Sequence, residues 1–139
     1  MFFQKIGPYP LKQINERRGD LLTIDFSEDL PFKPVRFFLI QEVPTGSTRG
    51  GHAHLKCEQF LIALKGEIRI RISNGEHEEF FDLGNRTEGV YLPPLHWGEQ
   101  IFVTEGSILG VFASHVYDSS DYVRTFEDFL EIISRDEKI

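Results

Sequence analysis

The sequence predicts an all-β protein of the jelly-roll kind with a short C-terminal helix, and three observations carry that prediction. Isoleucines alternate with charged residues over 67–72, which is the pattern of a strand with one buried face. Strand-like segments follow one another with a turn about every ten residues, as in sandwiches and barrels. Near the end, Phe126, Phe129, Leu130 and Ile133 recur instead at the spacing of one helix face.

The elements can be justified in order along the chain. Residues 1–15 are mixed and interrupted by prolines, and a charged turn follows them. The segment 36–42 is a strand too continuously apolar to be half exposed. The pair Asn74-Gly75 is the strongest hairpin signal, and Thr125 with Asp128 marks the start of a helix that should pack outside the barrel. The remaining strands are expected over residues 21–26, 59–64, 78–83, 89–92, 100–103 and 107–113.

Size and composition restrict the classes of function. A chain of 139 residues is one domain, 1–139, long enough to bury a core. The formal net charge of -7 and the pI of about 5.2 argue against nucleic acid or an anionic membrane surface as the main partner. The single cysteine, Cys57, excludes an internal disulfide framework. No apolar run reaches membrane-spanning length and the start lacks a signal-peptide pattern, so we expect a soluble, cytoplasmic protein.

The stretch most informative about function is RGGHAH, residues 49–54. On a strand, residues two apart project from the same face, so His52 and His54 are expected side by side and facing the interior. Histidine titrates near neutral pH, which suits such a pair to proton transfer or to metal binding. A chance pair in a turn is the alternative.

The same residues match half of a metal-binding pattern found in cupin barrels. His52, His54 and Glu58 reproduce its first part, His-x-His-x-x-x-Glu. Its second part, Pro-x-Gly-x-x-His, is altered after Pro94, because the glycine is missing and Glu99 replaces the last histidine. Two histidines and two carboxylates suit a divalent ion such as Fe(II) or Mn(II), but a histidine pair needs no metal for proton transfer.

A larger set of motifs resembles one family. The set comprises RGGHAH, Glu58-Gln59, residues 91–94 with Trp97 and Glu99, Ala113-Ser114, and the run Tyr117-Asp118 with Asp121-Tyr122-x-Arg124. These motifs are similar to those of the dTDP-4-keto-6-deoxyglucose 3,4-ketoisomerases, the WxcM-like sugar-nucleotide isomerases of the cupin superfamily. Members of that family often carry tyrosine in the strand before RGGHAH, where this chain has Leu39, Ile40 and Gln41.

The resemblance implies a fold, an activity and a partner. It implies a cupin jelly roll that moves the ketone of a dTDP-4-keto-6-deoxyhexose from C4 to C3 through an enediolate, with no metal or other cofactor. The product would serve cell-surface glycans, such as lipopolysaccharide or an S-layer glycan. The resemblance also implies a homodimer in which an N-terminal strand crosses to the partner.

Catalytic and diphosphate-binding residues follow from the same resemblance. His52 and His54 are the catalytic pair for proton transfer, and which of them removes the C3 proton stays open. Arg17, Arg18 and Arg49 are candidate ligands of the substrate diphosphate. The alternative is a solvated turn for the first two arginines and a surface salt bridge for the third.

Four further residues are candidate substrate contacts. Tyr91 would donate a hydrogen bond to the sugar or lie at the rim, and Trp97 would stack on a ring or close the barrel mouth. Glu58 would polarise a histidine, and Glu99 would orient one or take a proton unless it is a plain rim carboxylate. The family residues within 117–124 are expected to tie the C-terminal segment to the barrel.

Two other functions compete with the ketoisomerase. The first is a metal-dependent cupin enzyme, a dioxygenase or sugar isomerase, that uses His52, His54, Glu58 and Glu99 as ligands. The second is a sugar-binding cupin without catalysis, although a binding protein has no need of two titrating side chains.

Overall fold

The computed structural model describes residues 6–84 and 86–137. One antiparallel sheet holds, in spatial order, β1 (Gly7–Pro10), β9 (Glu88–Leu92), β6 (Gln59–Lys65), β11 (Ile108–Ala113) and β4 (Arg36–Ile40). The second holds β12 (Tyr122–Val123), β5 (Thr48–His54), β10 (Trp97–Phe102), β7 (Ile68–Ser73) and β8 (Glu78–Leu83). A hairpin pairs β2 (Lys12–Glu16) with β3 (Gly19–Thr23), a 3-10 turn spans Ser119–Asp121, and α1 spans Phe126–Glu137.

The main core lies between the two five-stranded sheets. On β7, Ile68, Ile70 and Ile72 are at most 1% exposed, whereas Arg69 between them is exposed, as the alternation predicts. Strands of both sheets contribute to this cluster, which also contains Leu61, Ala63, Leu83, Val90, Leu92, Phe102, Leu109 and Val111. The all-β jelly-roll prediction is therefore confirmed, with the two sheets packed as a sandwich rather than closed into a single barrel.

A second cluster covers the outer face of the first sheet. Phe60, Tyr91 and Phe112 lie in this cluster, and the hairpin and the loop after it supply Leu22 and Phe32 as partners. The N-terminal third of the chain thus acts as a cover for that sheet.

The structure corrects the prediction for the strand that begins at residue 36. Phe37 and Leu39 are each 47% exposed, while Phe38 and Ile40 pack against the main core. The strand β4 is at the edge of its sheet, and only one of its faces meets the core, so the apolar run is half exposed after all.

The N-terminal boundaries also differ from the prediction. Of residues 1–15, which were expected to be mixed, 1–5 lie outside the described residues and most of the others form β1 and β2. The prolines of β1 are tolerated because that strand lies at a sheet edge. The strand expected over 21–26 lies at Gly19–Thr23, where it pairs with β2 across the turn that carries Arg17 and Arg18. The predicted swap of an N-terminal strand concerns β1, which in this single chain pairs with β9.

The C-terminal helix forms as predicted and covers the back of β5. Thr125 caps it, since its Oγ1 accepts a hydrogen bond from the backbone N–H of Asp128 at 3.2 Å. The fully buried Phe129 packs with Ala53 and Trp97. Because neighbours on a strand face opposite sides, Ala53 beneath the helix places His52 and His54 on the other side. No helix within the described ranges combines the length and apolar character that crossing a bilayer requires.

Candidate active site

Two glycines shape the strand that carries the histidines. Gly50 and Gly51 have φ of 87° and 76°, a left-handed conformation that glycine adopts without steric cost. The pairing of β5 with β10 shifts register between Gly98 and Glu99, opposite this point. A Cβ on Gly50 would lie 3.0 Å from the Gln100 side chain and from the Gly98 carbonyl oxygen. The two glycines therefore allow a tight bulge that sets the direction of the histidines.

The two histidines lie side by side as predicted. The ring centroids of His52 and His54 are 5.1 Å apart and their planes are nearly perpendicular. The ring of Tyr122 packs on both, with centroid distances of 5.0 Å to His52 and 4.4 Å to His54. Strand β12 pairs Tyr122 with His54, so the C-terminal segment positions this third ring.

A cavity of about 460 Å³ opens beside His52. It is lined by Phe38, Ile40, Thr48, Arg49, Gly50, His52, Gln59, Gln100, Val111, Tyr117, Tyr122 and Arg124. Among these described lining residues, two are arginines and none is acidic, although the chain as a whole carries a net charge of -7. The cavity is thus suited to a ligand that combines an anionic group with polar and apolar parts.

Burial changes the expected chemistry of His52. Desolvation lowers the pKa of His52 from 6.5 to about 4, helped by the neighbouring His54, Arg124 and Arg49. The expectation that the pair titrates near neutral pH is therefore wrong for His52. Its imidazole is neutral at pH 7 and can act as a proton acceptor.

His54 is more deeply enclosed and has a carboxylate partner. It is 5% exposed, and its Nδ1 lies 3.1 Å from Oδ2 of Asp121. Burial lowers the pKa of His54, while the hydrogen bond and the negative charge of Asp121 act in the opposite direction. Its Nε2 is buried, and no residue in the described part of the chain forms a hydrogen bond with it.

The C-terminal run supplies part of the cavity wall. Tyr117, Tyr122 and Arg124 line the cavity, and the Arg124 guanidinium lies 4.5 Å from the centroid of the Tyr122 ring. From their sequence pattern, these residues were predicted only to tie the C-terminal segment to the barrel. Their match to the family motif was the available signal. The pairing of β12 with β5 brings them to the histidines, and a strand of two residues is too short for its sequence to predict that pairing.

Glu58 and Tyr91 lie away from the cavity, paired with each other. The Tyr91 hydroxyl donates a hydrogen bond to Oε1 of Glu58 at 2.6 Å. Tyr91 is 2% exposed and packs near Tyr9 and Phe32 on the outer face of the first sheet. Burial and the Glu58 carboxylate raise the pKa of Tyr91 above its ordinary value. The partner of Glu58 is therefore a tyrosine and not a histidine.

Trp97 and Glu99 lie on the helix side of β10. Trp97 is 5% exposed and packs on Phe126 and Phe129, at centroid distances of 5.5 and 5.9 Å. Its Nε1 donates to Oε2 of Glu99 at 3.0 Å, and the other oxygen of Glu99 lies 3.4 Å from Arg71. Side chains alternate along β10, so Gln100 lines the cavity while Trp97 and Glu99 point to the opposite side.

Of the three predicted arginines, the structure brings only Arg49 to the cavity. Arg17 and Arg18 are exposed in the turn between β2 and β3. Neither forms an ion pair with any described residue.

The proposed metal ligands do not converge. His52 and His54 are neighbours, but Glu58 binds Tyr91 and Glu99 binds Trp97. In the described part of the chain, the one group of three ligand-type side chains within 4.8 Å is His54, Cys57 and Asp121. The Asp121 oxygens there already accept the backbone N–H groups of Lys56 and Cys57. The donor set of the metal-dependent alternative is therefore not assembled.

Comparisons with known proteins match one family and several sugar 3,4-ketoisomerases. A family model described as "FdtA: WxcM-like, C-terminal" matches residues 5–134. A TDP-4-oxo-6-deoxy-alpha-D-glucose-3,4-oxoisomerase of Aneurinibacillus thermoaerophilus is 32% identical over 124 residues, 89% of this chain and 89% of that protein. QdtA, a sugar 3,4-ketoisomerase of Thermoanaerobacterium thermosaccharolyticum solved with TDP, is 34% identical with a TM-score of 0.89, covering 94% of this chain and 95% of that chain. The Campylobacter jejuni TDP-fucose-3,4-ketoisomerase WlaRA is 29% identical with a TM-score of 0.85, covering 93% and 96%.

The jelly-roll fold, the histidine pair and these relatives define the class of cupin-type sugar 3,4-ketoisomerases. Within that class, the chain belongs to the FdtA, WxcM-like family, which confirms the resemblance seen in the sequence.

Proposed function

We propose that this chain is a 3,4-ketoisomerase that acts on a dTDP-4-keto-6-deoxyhexose. The observation that carries the proposal is the placement of His52 and His54 on one side of β5, beside a cavity whose described lining includes two arginines and no carboxylate. The relatives are named for this reaction, and a variant of QdtA is described in complex with TDP-4-keto-6-deoxyglucose.

The reaction requires two proton transfers at carbon and two at oxygen. A base removes the C3 proton, the electron pair of that bond forms the C3=C4 bond, and the C4 oxygen becomes an oxyanion. A proton is then delivered to C4, the C3 hydroxyl loses its proton and the C4 oxygen gains one. A neutral imidazole at the cavity wall, as at His52, can begin this sequence, and His54 provides a second proton carrier.

The cavity has parts that suit each end of this substrate. Arg49 and Arg124 offer positive charge to the diphosphate, and they are well placed to attract an anion to an otherwise acidic protein. Phe38, Ile40 and Val111 form an apolar wall that suits the C6 methyl group of a deoxysugar.

The molecule is proposed to act as a homodimer with exchanged N-terminal strands. An exchanged β1 would make with the partner the same contacts that it makes with β9 here, so the exchange costs little. Arg17 and Arg18 lie in the turn between β2 and β3, and no described residue pairs their charges, so both are proposed to add positive charge for the diphosphate.

The proposed setting is a cytoplasmic pathway that makes nucleotide sugars for cell-surface glycans. The relatives act on TDP-sugars by name, and the one cysteine is a free, buried thiol. Fractionation of cells that express the native chain should recover it with the soluble cytoplasmic proteins. Recovery in a membrane or extracellular fraction would contradict this setting.

The decisive experiment is incubation of the purified protein with dTDP-4-keto-6-deoxyglucose in deuterated water. NMR should show deuterium entering at C3 of the substrate and at C4 of the 3-keto product. Absence of both exchange and product would overturn the proposal. Assays before and after a chelator separate the metal-dependent alternative, which predicts loss of activity, from the reaction proposed here.

A further inference from the structure

Asp121 is held firmly against His54. Its backbone carbonyl accepts the N–H of Leu55 at 2.9 Å, and its carboxylate accepts the N–H groups of Lys56 at 2.8 Å and Cys57 at 3.1 Å. The loop after β5 therefore wraps the carboxylate, and the 3-10 turn, capped by Asp118, holds it from the other side. These contacts fix Oδ2 of Asp121 at 3.1 Å from Nδ1 of His54.

This contact determines the tautomer of His54. A carboxylate only accepts hydrogen bonds, so Nδ1 must carry the hydrogen. In a neutral imidazole the lone pair then lies on Nε2, on the side of the ring away from Asp121. That Nε2 is buried and has no hydrogen-bond partner among the described residues, and a buried group in this state often has a chemical role.

The surroundings of the two histidines differ in charge. Within the described ranges, His52 has Arg49 and Arg124 nearby and no acidic partner, whereas His54 has Asp121. The two rings are close enough that a positive charge on one opposes a charge on the other. The groups that face His54 from the elements around it are His52, Arg36, Cys57, Asp121, Tyr122 and Arg124.

We propose that Asp121 is a positioning residue of the ketoisomerase, which fixes His54 as the Nδ1–H tautomer and makes it the histidine that carries the positive charge. This inference rests on the proposed function. In the balanced step, a proton released by the substrate is relayed by His52, which borders the cavity, to Nε2 of His54, while the electron pair of the broken bond stays on the substrate. His54 becomes an imidazolium whose Nδ1–H still donates to Asp121. The proton later returns from Nε2 through His52 to the substrate, and Asp121 keeps its charge throughout.

The test is the Asp121→Asn variant in the full-length protein. The amide can place a donor against Nδ1, which favours the opposite tautomer and removes the charge that supports the imidazolium. We expect kcat to fall by about 10²-fold or more, since the corresponding change in serine protease triads costs about 10⁴-fold. KM should change little, because Asp121 does not line the cavity. The acid limb of the pH–rate profile should move to lower pH, which a purely structural role would not produce.

NMR of the imidazole nitrogens provides a second test, which measures the tautomer directly and does not depend on enzyme activity. In the wild-type protein at pH 7, Nδ1 of His54 should be protonated and Nε2 should not, and the variant should show the reverse. An Nε2–H tautomer in the wild-type protein would overturn the proposal even if the variant failed to fold.

Asp118→Asn is the matched control. It makes the same chemical change on an exposed carboxylate in the same segment, and asparagine caps a helical turn as well as aspartate does. Its kcat should stay near the wild-type value. If His52→Asn and His54→Asn abolish turnover while Asp121→Asn behaves like Asp118→Asn, the positioning role is overturned and the proposed function stands. If the histidine variants keep normal turnover, the proposed function fails.

Discussion

Two identical side chains two positions apart have different environments in this protein. His52 borders the cavity near two arginines, and His54 lies behind it against a carboxylate. The chemistry of each imidazole is set by its neighbours, which come from β4, the RGGHAH segment and the C-terminal run.

Replacing either histidine by asparagine tests the catalytic pair. Asparagine keeps some hydrogen bonding but cannot transfer a proton, so turnover should fall by about 10²-fold or more in each variant. Substrate binding should change much less, because the diphosphate is proposed to be held by Arg49 and Arg124. If one variant still exchanges the C3 hydrogen with deuterium but forms no product, the histidine that remains in it is the C3 base. Near-normal turnover in both variants would rule out proton transfer by the pair.

The lowered pKa of His52 also predicts a pH dependence of stability. The unfolded chain binds a proton on this histidine below about pH 6.5, whereas the folded protein binds it only near pH 4. Between these values the unfolded state holds more protons, so the free energy of unfolding decreases as the pH falls. Between pH 7 and pH 5, the lowered pKa of this histidine should reduce the free energy of unfolding by on the order of 1 to 2 kcal/mol. Urea unfolding should show a smaller decrease in His52→Asn than in the wild-type protein, and an equal decrease would contradict the shift.

At the scale of elements, the histidine pair and the residues Trp97 and Tyr91 show why the sequence predicts only part of the site. The side-by-side placement of the histidines follows from the two-residue period of a β-strand, because it depends only on the strand that carries them. The side on which Trp97 lies depends on where β10 begins and on the register shift next to it, which the sequence does not reveal. Tyr91 looked like a rim residue because prolines follow it, but the N-terminal hairpin covers that face. Long-range packing of this kind has no local signal.

Replacing Tyr91 by phenylalanine tests its assignment to the sheet cover. The change leaves the partly buried Glu58 carboxylate without its donor, which should lower the free energy of unfolding by about 1 to 3 kcal/mol. KM and kcat should stay within about twofold, because the hydroxyl donates to Glu58 and does not border the cavity. A large rise in KM with unchanged stability would restore Tyr91 as a substrate contact.

At the scale of the whole molecule, the exposed apolar side chains of the first sheet lie next to its outer cover. Phe37 and Leu39 project from β4, and Ile14 and Leu21 project from the hairpin. Apolar residues of this size on the surface of a small domain often mark a contact with another chain.

Light scattering tests the proposed dimer directly. The expected mass is about twice the 16.1 kDa of one chain at micromolar concentration. A double variant, Phe37→Ser with Leu39→Ser, provides a comparison that alters the exposed face and leaves β1 intact. A wild-type mass of one chain would contradict the dimer, and a dimeric double variant would show that the strand exchange alone is sufficient.

The short strand β12 has a consequence for how the protein becomes active during synthesis. It pairs Tyr122 with His54, and Tyr117 and Arg124 beside it line the cavity. All strands of the first sheet, and the rest of the second, are translated before this segment. A nascent chain can therefore assemble its sandwich before the site is complete, and the cavity wall is finished only when the segment that carries Tyr117, Tyr122 and Arg124 has been translated and has paired with β5.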